Sequence, residues 1–333
     1  MEKNYGKLFE DFNQLSIMII GDVMVDAYLW GKVERISPEA PIPIVALKKR
    51  ENRMGGAANV AKNVLSLGAK PILCSVIGTD EKGDEFLELM DKEKIQTSGI
   101  HRSPRRITTT KFRIFGNNMQ MLRVDEEVEH DLSPQDRSDL LSRIDQILLN
   151  EKVDGIILQD YNKGVMTADL ISHVVGKAIE MNIPVSVDPK KRNFEAYRGV
   201  TLFKPNLKEL REGMKIDFES DSREEVIKAS QTLLATLGCQ YVLTTLSEHG
   251  VLICLSENSE EKNIYIPAHL RSVSDVSGAG DTVISVATLC LAQKCSPYEI
   301  AYISNLAGGL VCEEAGVVPV NKEKLLKEVV ALL

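Results

Sequence analysis

The 333-residue sequence lacks the cysteine pairs and long apolar runs that would mark a secreted or membrane-bound protein. Its six cysteines form no Cys-x-x-Cys pair and most lie in apolar runs, so we expect buried, reduced thiols. No apolar stretch approaches the roughly 20 residues that a membrane helix needs. The N-terminus mixes acidic and basic residues, unlike a signal peptide. These absences predict a cytoplasmic protein that does not enter a membrane.

An excess of basic residues is also missing. The chain has 48 acidic and 40 basic residues, for a formal net charge of -8. Such a protein repels phosphate backbones, so nucleic acid is not expected as a partner, although a local basic pocket could still bind a small anion. Apolar residues make up 44% of the chain, enough for one large core. We expect a single domain over residues 1–333.

Two common nucleotide-binding motifs are absent. No Gly-x4-Gly-Lys-Ser/Thr run occurs, which excludes a Walker loop. A Gly-x-Gly pair is present at Gly278 and Gly280, but the third position of a dinucleotide fingerprint is Val283. An NAD-dependent oxidoreductase is therefore disfavoured, and failure to bind NAD in a titration would exclude it.

From residue 153 onward, predicted strands and helices alternate. This pattern favours an α/β fold with a mostly parallel sheet covered by helices on both faces. Segments of about 22–50 and 108–125 do not fit the alternation, and Gly116-Asn117-Asn118 between two β-prone runs is typical of a hairpin. We expect these segments to form a small separate sheet, here called the lid. The charged run from Lys48 to Arg53 is expected to be an exposed turn.

The strongest local motif is Asp275-Val-Ser-Gly278-Ala279-Gly280-Asp281, followed by an apolar helical run. Glycines allow the backbone to approach a ligand closely, and free N–H groups at a helix start favour negative charge such as phosphate. Asp281 would lie at that helix start. A simple N-capping aspartate after a glycine turn is the alternative.

Two further motifs are weaker by themselves. Gly55-Gly56-Ala-Ala-Asn59 places an amide suited to sugar hydroxyls after paired glycines, although the same pattern can serve close packing alone. Asn206-x-x-Glu209 follows a predicted strand and shares one face of a first helical turn. That pair could hold hydrated magnesium, or it could simply be a capping box.

These three motifs, in this order, resemble the ribokinase-like (PfkB) carbohydrate kinase family from about residue 16 to residue 320. The resemblance implies a three-layer α/β/α sandwich with a small β-sheet lid. It implies ATP and Mg²⁺ as cofactors and Asp281 as the catalytic base, with an anion hole formed by the amides of Gly278, Ala279 and Gly280. Asn206 and Glu209 would organise magnesium, Glu209 directly and Asn206 through water. The residues implied near the nucleotide are Asn206, Glu209, Thr245, Ser247, Gly250 and Asn305.

Within that family, four further runs are similar to the kinase half of bifunctional heptose-phosphate kinase/adenylyltransferases. They begin at Gly21, Arg35, Gln120 and Asp160. The similarity implies D-glycero-β-D-manno-heptose 7-phosphate as the substrate, in ADP-heptose synthesis for lipopolysaccharide. The candidate sugar-binding residues are Asp22, Asp26, Gly56, Asn59, Arg123, Asp125 and Lys163. Lys111 and Arg113 are weaker candidates for the sugar phosphate than Arg123 and Lys163, because strand residues of this kind are often merely solvated.

Other functions stay open at this point. The sugar could be ribose, fructose or fructose 6-phosphate, and a non-catalytic sugar-binding regulator is a different class of answer. No His-x-Gly-His arrangement occurs, so we expect no adenylyltransferase domain. The family's lids often pair between subunits and so bury exposed strand edges, which predicts a homodimer through the lid.

Overall fold

The computed structural model describes residues 4–218, 222–256, 263–269 and 271–333. Thirteen strands lie in these ranges: β1 Ser16–Gly21, β2 Val23–Ile36, β3 Pro43–Gly56, β4 Lys70–Gly78, β5 Ile100–Ser103, β6 Thr110–Gly116, β7 Met119–Glu126, β8 Gly155–Gln159, β9 Val185–Asp188, β10 Leu202–Phe203, β11 Tyr241–Thr245, β12 Val251–Leu255 and β13 Asn263–Ile266. The same ranges hold ten α-helices: α1 Tyr5–Asp11, α2 Ala57–Ser66, α3 Glu81–Lys92, α4 Pro134–Asn150, α5 Ala168–Met181, α6 Leu207–Met214, α7 Arg223–Leu237, α8 Ala279–Ala292, α9 Pro297–Cys312 and α10 Lys322–Leu332.

The main sheet has the strand order β13-β12-β11-β10-β9-β8-β1-β4-β5. Pairing is parallel from β11 through β5 and antiparallel at β12 and β13. Strand β1 explains why both faces are covered, since Ile17 and Ile19 point into one apolar cluster and Met18 and Ile20 into the other. Helices α2, α8 and α9 cover the first face, and α4, α5 and α7 cover the second. The predicted three-layer α/β/α sandwich is confirmed.

The second sheet is the lid, with strand order β3-β2-β6-β7. The hairpin between β6 and β7 turns at Asn117 and Asn118, whose φ values of 53° and 65° suit asparagine in a tight turn. The predicted small sheet and its hairpin are therefore present.

The run from Lys48 to Arg53 is not a turn, which corrects that expectation. It lies within β3, and its register with β2 pairs Lys49 with Trp30 and Arg53 with Asp26. The run resembles a loop because β3 is an edge strand of a thin sheet and carries a block of charged residues in its middle.

Candidate active site

The loop before α8 brings Asp281 to the carboxyl ends of the parallel strands. Gly278 is the N-cap of α8 and has φ +82°, a left-handed conformation that favours glycine. Asp281 stands in the first helical turn and is only 7% exposed. The helix behind it, from Thr282 to Cys290, is buried, so the position of the carboxylate is fixed by the core.

Three side chains from two other elements donate to the Asp281 carboxylate. Asn59 Nδ2 in α2 lies 2.7 Å from Oδ2. Tyr161 Oη, just after β8, lies 2.7 Å from Oδ1, and Gln159 Nε2 lies 3.3 Å from the same oxygen. Both carboxylate oxygens therefore have a donor, which is how a buried carboxylate tolerates its charge.

The surroundings of Asp281 raise the pKa of its carboxyl to about 6. Burial is the main cause; the donors Asn59 and Tyr161 and the ammonium of Lys204 oppose it, while Asp188 adds to it. A carboxylate with such a pKa is ionised at neutral pH and is a stronger base than an exposed aspartate. It can accept a proton from a hydroxyl that reaches it.

A buried ion pair lies beside the glycine loop. Lys204 Nζ is 3.0 Å from Asp188 Oδ2, and the two side chains are 3% and 7% exposed. A Cβ atom added to Gly280 would come within 3.5 Å of Lys204 Nζ and 3.6 Å of Asp188 Oδ2, so the pair touches the candidate anion hole directly. The motifs of the sequence did not predict a role for Lys204. Its position directly after a buried strand was the available signal.

Asn206 and Glu209 form a capping box at the start of α6. Asn206 Oδ1 accepts from the Glu209 N–H at 2.8 Å, and Glu209 Oε2 accepts from the Asn206 N–H at 3.0 Å. The other oxygen of Glu209 is paired with Lys190. Although burial opposes it, the neighbouring Asp188 and Glu209 raise the pKa of Lys190, so this side chain stays charged. Sequence reasoning missed Lys190.

The oxygen donors here suit magnesium only in part. In the part of the chain that the structure describes, no three His, Cys, Asp or Glu side chains form a group that could hold a metal ion. Asp188 and Glu209 are oxygen donors of the kind that Mg²⁺ prefers, and each is already paired with a lysine. The residues present therefore fit a magnesium ion held largely by water and by the phosphates of a nucleotide.

Asp22 is fully buried and accepts three backbone N–H groups of the loop after β8. Its Oδ2 accepts from Tyr161 at 2.9 Å and from Lys163 at 3.1 Å, and its Oδ1 accepts from Val165 at 2.9 Å. Burial and the nearby Asp160 raise the pKa of Asp22 to about 6. In this structure Asp22 holds a loop in place, and its oxygens do not point to open space.

The predicted nucleotide residues form a second group around β11. Asn206 is bridged to Thr245, the last residue of β11. Ser247 and Gly250 have φ values of 54° and 96° in the turn between β11 and β12. Asn305 in α9 donates to the Pro267 carbonyl at 2.9 Å, and Pro267 lies beside Gly250 at the same end of these strands.

Comparison with known proteins shows the family. The model of the pfkB family of carbohydrate kinases matches residues 14–324. Bifunctional protein HldE of Methylobacillus flagellatus is 39% identical over 312 residues, which are 94% of this chain and 62% of that protein. Bifunctional protein HldE of Helicobacter pylori strain G27 is 39% identical over 300 residues, 90% of this chain and 63% of that protein. The chain belongs to the pfkB family of carbohydrate kinases.

The chain spans less than two thirds of the length of these curated relatives. Two solved structures share the fold. Phosphofructokinase-2 from Escherichia coli in complex with potassium has a TM-score of 0.76 at 19% identity, with 95% of this chain and 98% of that chain covered. Ribokinase of Arabidopsis thaliana complexed with ribose and ATP has a TM-score of 0.70 at 17% identity, with 94% and 98% covered. Within the described residues, no helix of this carbohydrate kinase is long and apolar enough to cross a membrane.

Strand register places the lid candidates of this pfkB protein on one face. Asp26 is aligned with Arg53 on one side and with Lys111 on the other, and Lys111 with Asp125. In the next polar row, Tyr28 is aligned with Arg113, and Arg113 with Arg123. Because aligned residues share a face of a sheet, all seven side chains point to the same side.

The candidate cations of the lid face, and Lys163 in the loop after β8, differ in how strongly they are already paired. Lys111 contacts Asp125 and Glu127, and Lys163 contacts Glu127 and Glu129, so each of these lysines lies between two carboxylates. Arg123 is half-exposed and contacts Asp125.

Two arginines of the lid face lie close to the loop before α8. Arg113 is paired with Asp26, whose carboxylate lies against Gly55, and Arg53 is paired with Glu51. Both guanidinium groups lie over the ring of Tyr28, at 4.8 Å for Arg53 and 5.5 Å for Arg113. Arg53 Nη1 also comes near Gly316, whose N–H donates to Asp275 in the loop before α8. The lid face and the loop before α8 therefore meet at these arginines.

Proposed function

We propose that this chain transfers the γ-phosphoryl group of ATP to a hydroxyl of a phosphorylated sugar. The substrate we favour is D-glycero-β-D-manno-heptose 7-phosphate, which would become heptose 1,7-bisphosphate in ADP-heptose synthesis for lipopolysaccharide. The observation that carries the proposal is the buried carboxylate of Asp281, which lies at a glycine-rich helix start whose preceding loop lies near Arg53 of the lid. The similarity to proteins named HldE, over nearly the whole of this chain, supports the choice of sugar.

In this mechanism Asp281 is the general base. The acceptor hydroxyl of the sugar gives its proton to the carboxylate while its oxygen bonds to the γ-phosphorus, and the bond from that phosphorus to the β-γ bridging oxygen breaks, releasing ADP. The raised pKa of Asp281 suits this task, because the carboxylate is ionised near pH 7 and still holds a proton well once it has accepted one.

Charge on the transferred group would be stabilised by the helix start and by Lys204. The amides of Gly278 and Gly280 lie at the start of α8, where the helix dipole favours an anion, whereas the Ala279 N–H donates to the Val276 carbonyl at 3.3 Å and would have to turn from it to join the anion hole. Lys204 lies against Gly280 and places a fixed cation behind that loop. Magnesium, when bound with the nucleotide, would neutralise phosphate oxygens. Asn206 and Glu209, held rigid by their capping box, are the residues proposed to orient it through water.

The sugar would lie between Asn59 and the lid face. Asp26 and Gly56 are proposed to line the path by which the sugar enters. The two lie close together, because a Cβ atom added to Gly55, the residue before Gly56, would contact the Asp26 carboxylate. The cations proposed for the sugar phosphate are Arg123, Lys163, Lys111 and Arg113. Because each lysine lies between two acids and Arg113 is paired with Asp26 alone, Arg113 gains importance relative to Lys163 in this proposal.

The test measures ADP release with MgATP and three sugars: heptose 7-phosphate, fructose 6-phosphate and ribose. We expect the highest kcat/KM with heptose 7-phosphate, and phosphorus NMR should show the new phosphate on O1. Faster turnover of ribose or fructose 6-phosphate would replace the substrate assignment and leave the kinase assignment standing. Asp281→Asn should bind ATP normally and lose turnover by several orders of magnitude. Near-normal turnover by that variant would contradict the mechanism.

We also propose that the lid pairs with the lid of a second copy. Its outer face carries Leu29, Ile114, Leu122 and Val124, of which Leu122 and Val124 are 55% and 46% exposed. An apolar sheet face of this kind is typical of an interface. Sedimentation equilibrium at working concentration should give a dimer, and a monomer throughout would contradict the proposal.

A further inference from the structure

Tyr161 contacts the proposed base but has no role in the mechanism above. Its hydroxyl donates to Asp281 Oδ1 at 2.7 Å, while Asn59 donates to Oδ2 at the same distance. The two donors come from different elements, the loop after β8 and helix α2. The carboxylate is therefore held from two sides, by Asn59 at one oxygen and by Tyr161, with the longer contact of Gln159, at the other.

The loop that carries Tyr161 is itself fixed. Its backbone N–H groups at Tyr161, Lys163 and Val165 all donate to the buried carboxylate of Asp22. Asn162 N–H donates to Asp160 Oδ1 at 2.7 Å, which closes the turn. Three backbone bonds to one buried anion fix the backbone from which the Tyr161 side chain reaches Asp281.

We propose that Tyr161 is a positioning residue for the base: with Asn59 it fixes the rotation of the Asp281 carboxylate and stabilises its ionised form. This inference rests on the proposed function of Asp281. A hydrogen bond to the charged form of an acid favours that form, and a carboxylate that cannot rotate presents the same lone pair to each acceptor hydroxyl. The phenol remains a donor throughout, because burial and the nearby Asp281 keep the pKa of Tyr161 well above its usual range.

The other groups that face Asp281 allow the contribution of Tyr161 to be isolated. Asp188 and Lys204 supply the nearby charges, and Asn59 and Gln159 supply the remaining donors. None of these four side chains changes when only the Tyr161 hydroxyl is removed. Tyr161→Phe is therefore the test variant, since it keeps the ring and the backbone bonds to Asp22.

The experiment follows the side-chain carboxyl carbon of Asp281 by ¹³C NMR in protein labelled at aspartate. The signal is identified by its loss in Asp281→Asn and is titrated from pH 4 to pH 9. In Tyr161→Phe we expect the midpoint to rise by about one pH unit, as removal of one hydrogen bond to a charged group implies. The acidic limb of kcat/KM should move in the same direction and kcat should fall about tenfold, with little change in the KM for ATP. An unchanged midpoint would overturn the proposal.

Tyr197→Phe is the matched control. Tyr197 is fully buried and donates to Asp160 Oδ2 at 2.8 Å, so this variant also removes one tyrosine–carboxylate bond near β8 but does not touch Asp281. We expect it to lower thermal stability and to leave the Asp281 midpoint in place. An equal rise of the midpoint in both variants would mean a general effect of loosening the loop and would also overturn the proposal.

Two outcomes separate this inference from the proposed function. Normal turnover by Asp281→Asn refutes the proposed role of Asp281 as the base, whereas an inactive Asp281→Asn with an unmoved midpoint in Tyr161→Phe refutes only the role of Tyr161. If Tyr161→Phe does not fold, incorporation of 3-fluorotyrosine replaces it. That phenol is a stronger donor, so the midpoint should fall, and an unchanged midpoint would again refute the role.

Discussion

Replacing Asp281 with asparagine should remove a cost to stability that grows with pH, as well as the proposed base. Burial raises the pKa of Asp281 from its ordinary 3.8 to about 6 in the folded protein. Below pH 3.8 both folded and unfolded chains hold the proton, so the carboxyl costs no stability. Between pH 3.8 and 6 the unfolded chain has lost a proton that the folded chain keeps, so stability falls as the pH rises. Above pH 6 the cost is complete.

The size of that cost follows from the two pKa values. At about 1.4 kcal/mol for each pH unit between them, the ionised carboxylate costs the folded state about 3 kcal/mol. Asparagine avoids this cost, although its amide group cannot accept from both Asn59 and Tyr161. That mismatch is independent of pH. The decisive quantity is therefore how the difference in free energy of unfolding between variant and wild type changes with pH, and not its value at one pH.

The assay is urea unfolding of wild type and Asp281→Asn, followed by circular dichroism at intervals from pH 4.5 to 8. The free energy of unfolding of the variant relative to wild type should rise by about 2 kcal/mol across this range, because part of the cost of about 3 kcal/mol is already present at pH 4.5. Asp22 has a similarly raised pKa, but it is present in both proteins and cancels in the difference. A difference that stays constant with pH would refute the reasoning that Asp281 is ionised at a cost.

Two further predictions concern the neighbours of this carboxylate. Lys204→Met leaves Asp188 buried without its partner and should lower the free energy of unfolding by about 3–5 kcal/mol at pH 7; urea unfolding checks this, and a loss below 1 kcal/mol would contradict it. Gly278→Ala should lower the melting temperature by several degrees, because φ is +82° and the new Cβ would lie 3.1 Å from Asn59 Nδ2, whereas Gly280→Ala meets only ordinary contacts and should melt as wild type does. Equal melting of the two alanine variants would contradict the strain assigned to Gly278.

The sequence was sufficient for the layers of the fold. Alternating strands and helices after residue 153 predicted the parallel sheet, because a strand buried on both faces must be covered by helices. Lid strand β3 could not be predicted in full. Its charged half, Lys48 to Arg53, is set by pairing with β2, a contact between residues far apart in sequence that local composition does not reveal.

The candidate site could be predicted where its residues lie close together in the sequence. Gly278 and Asp281 lie within one turn of each other, so their proximity follows from the sequence. Lys204 and Tyr161 reach the same place from separate strands, and only the parallel order of β8, β9 and β10 brings them there. The role of Asp22 was also not readable, since a buried carboxylate that accepts three backbone N–H groups has the same sequence signature as one that binds a ligand.

Strand β2 runs without interruption from Val23 in the core to Ile36 at the tip of the lid. The pairing of β2 with β3 is regular from Val23 to Trp30, and its two register shifts lie beyond Trp30. The lid therefore has no hinge within this strand pair near the core. Leaning the tip outward would pull on the pairing of Val23 with Gly56, and Gly56 leads straight into the helix that holds Asn59. A molecule bound at the tip of the lid would thus be able to shift Asn59, and with it the donor to the Asp281 carboxylate.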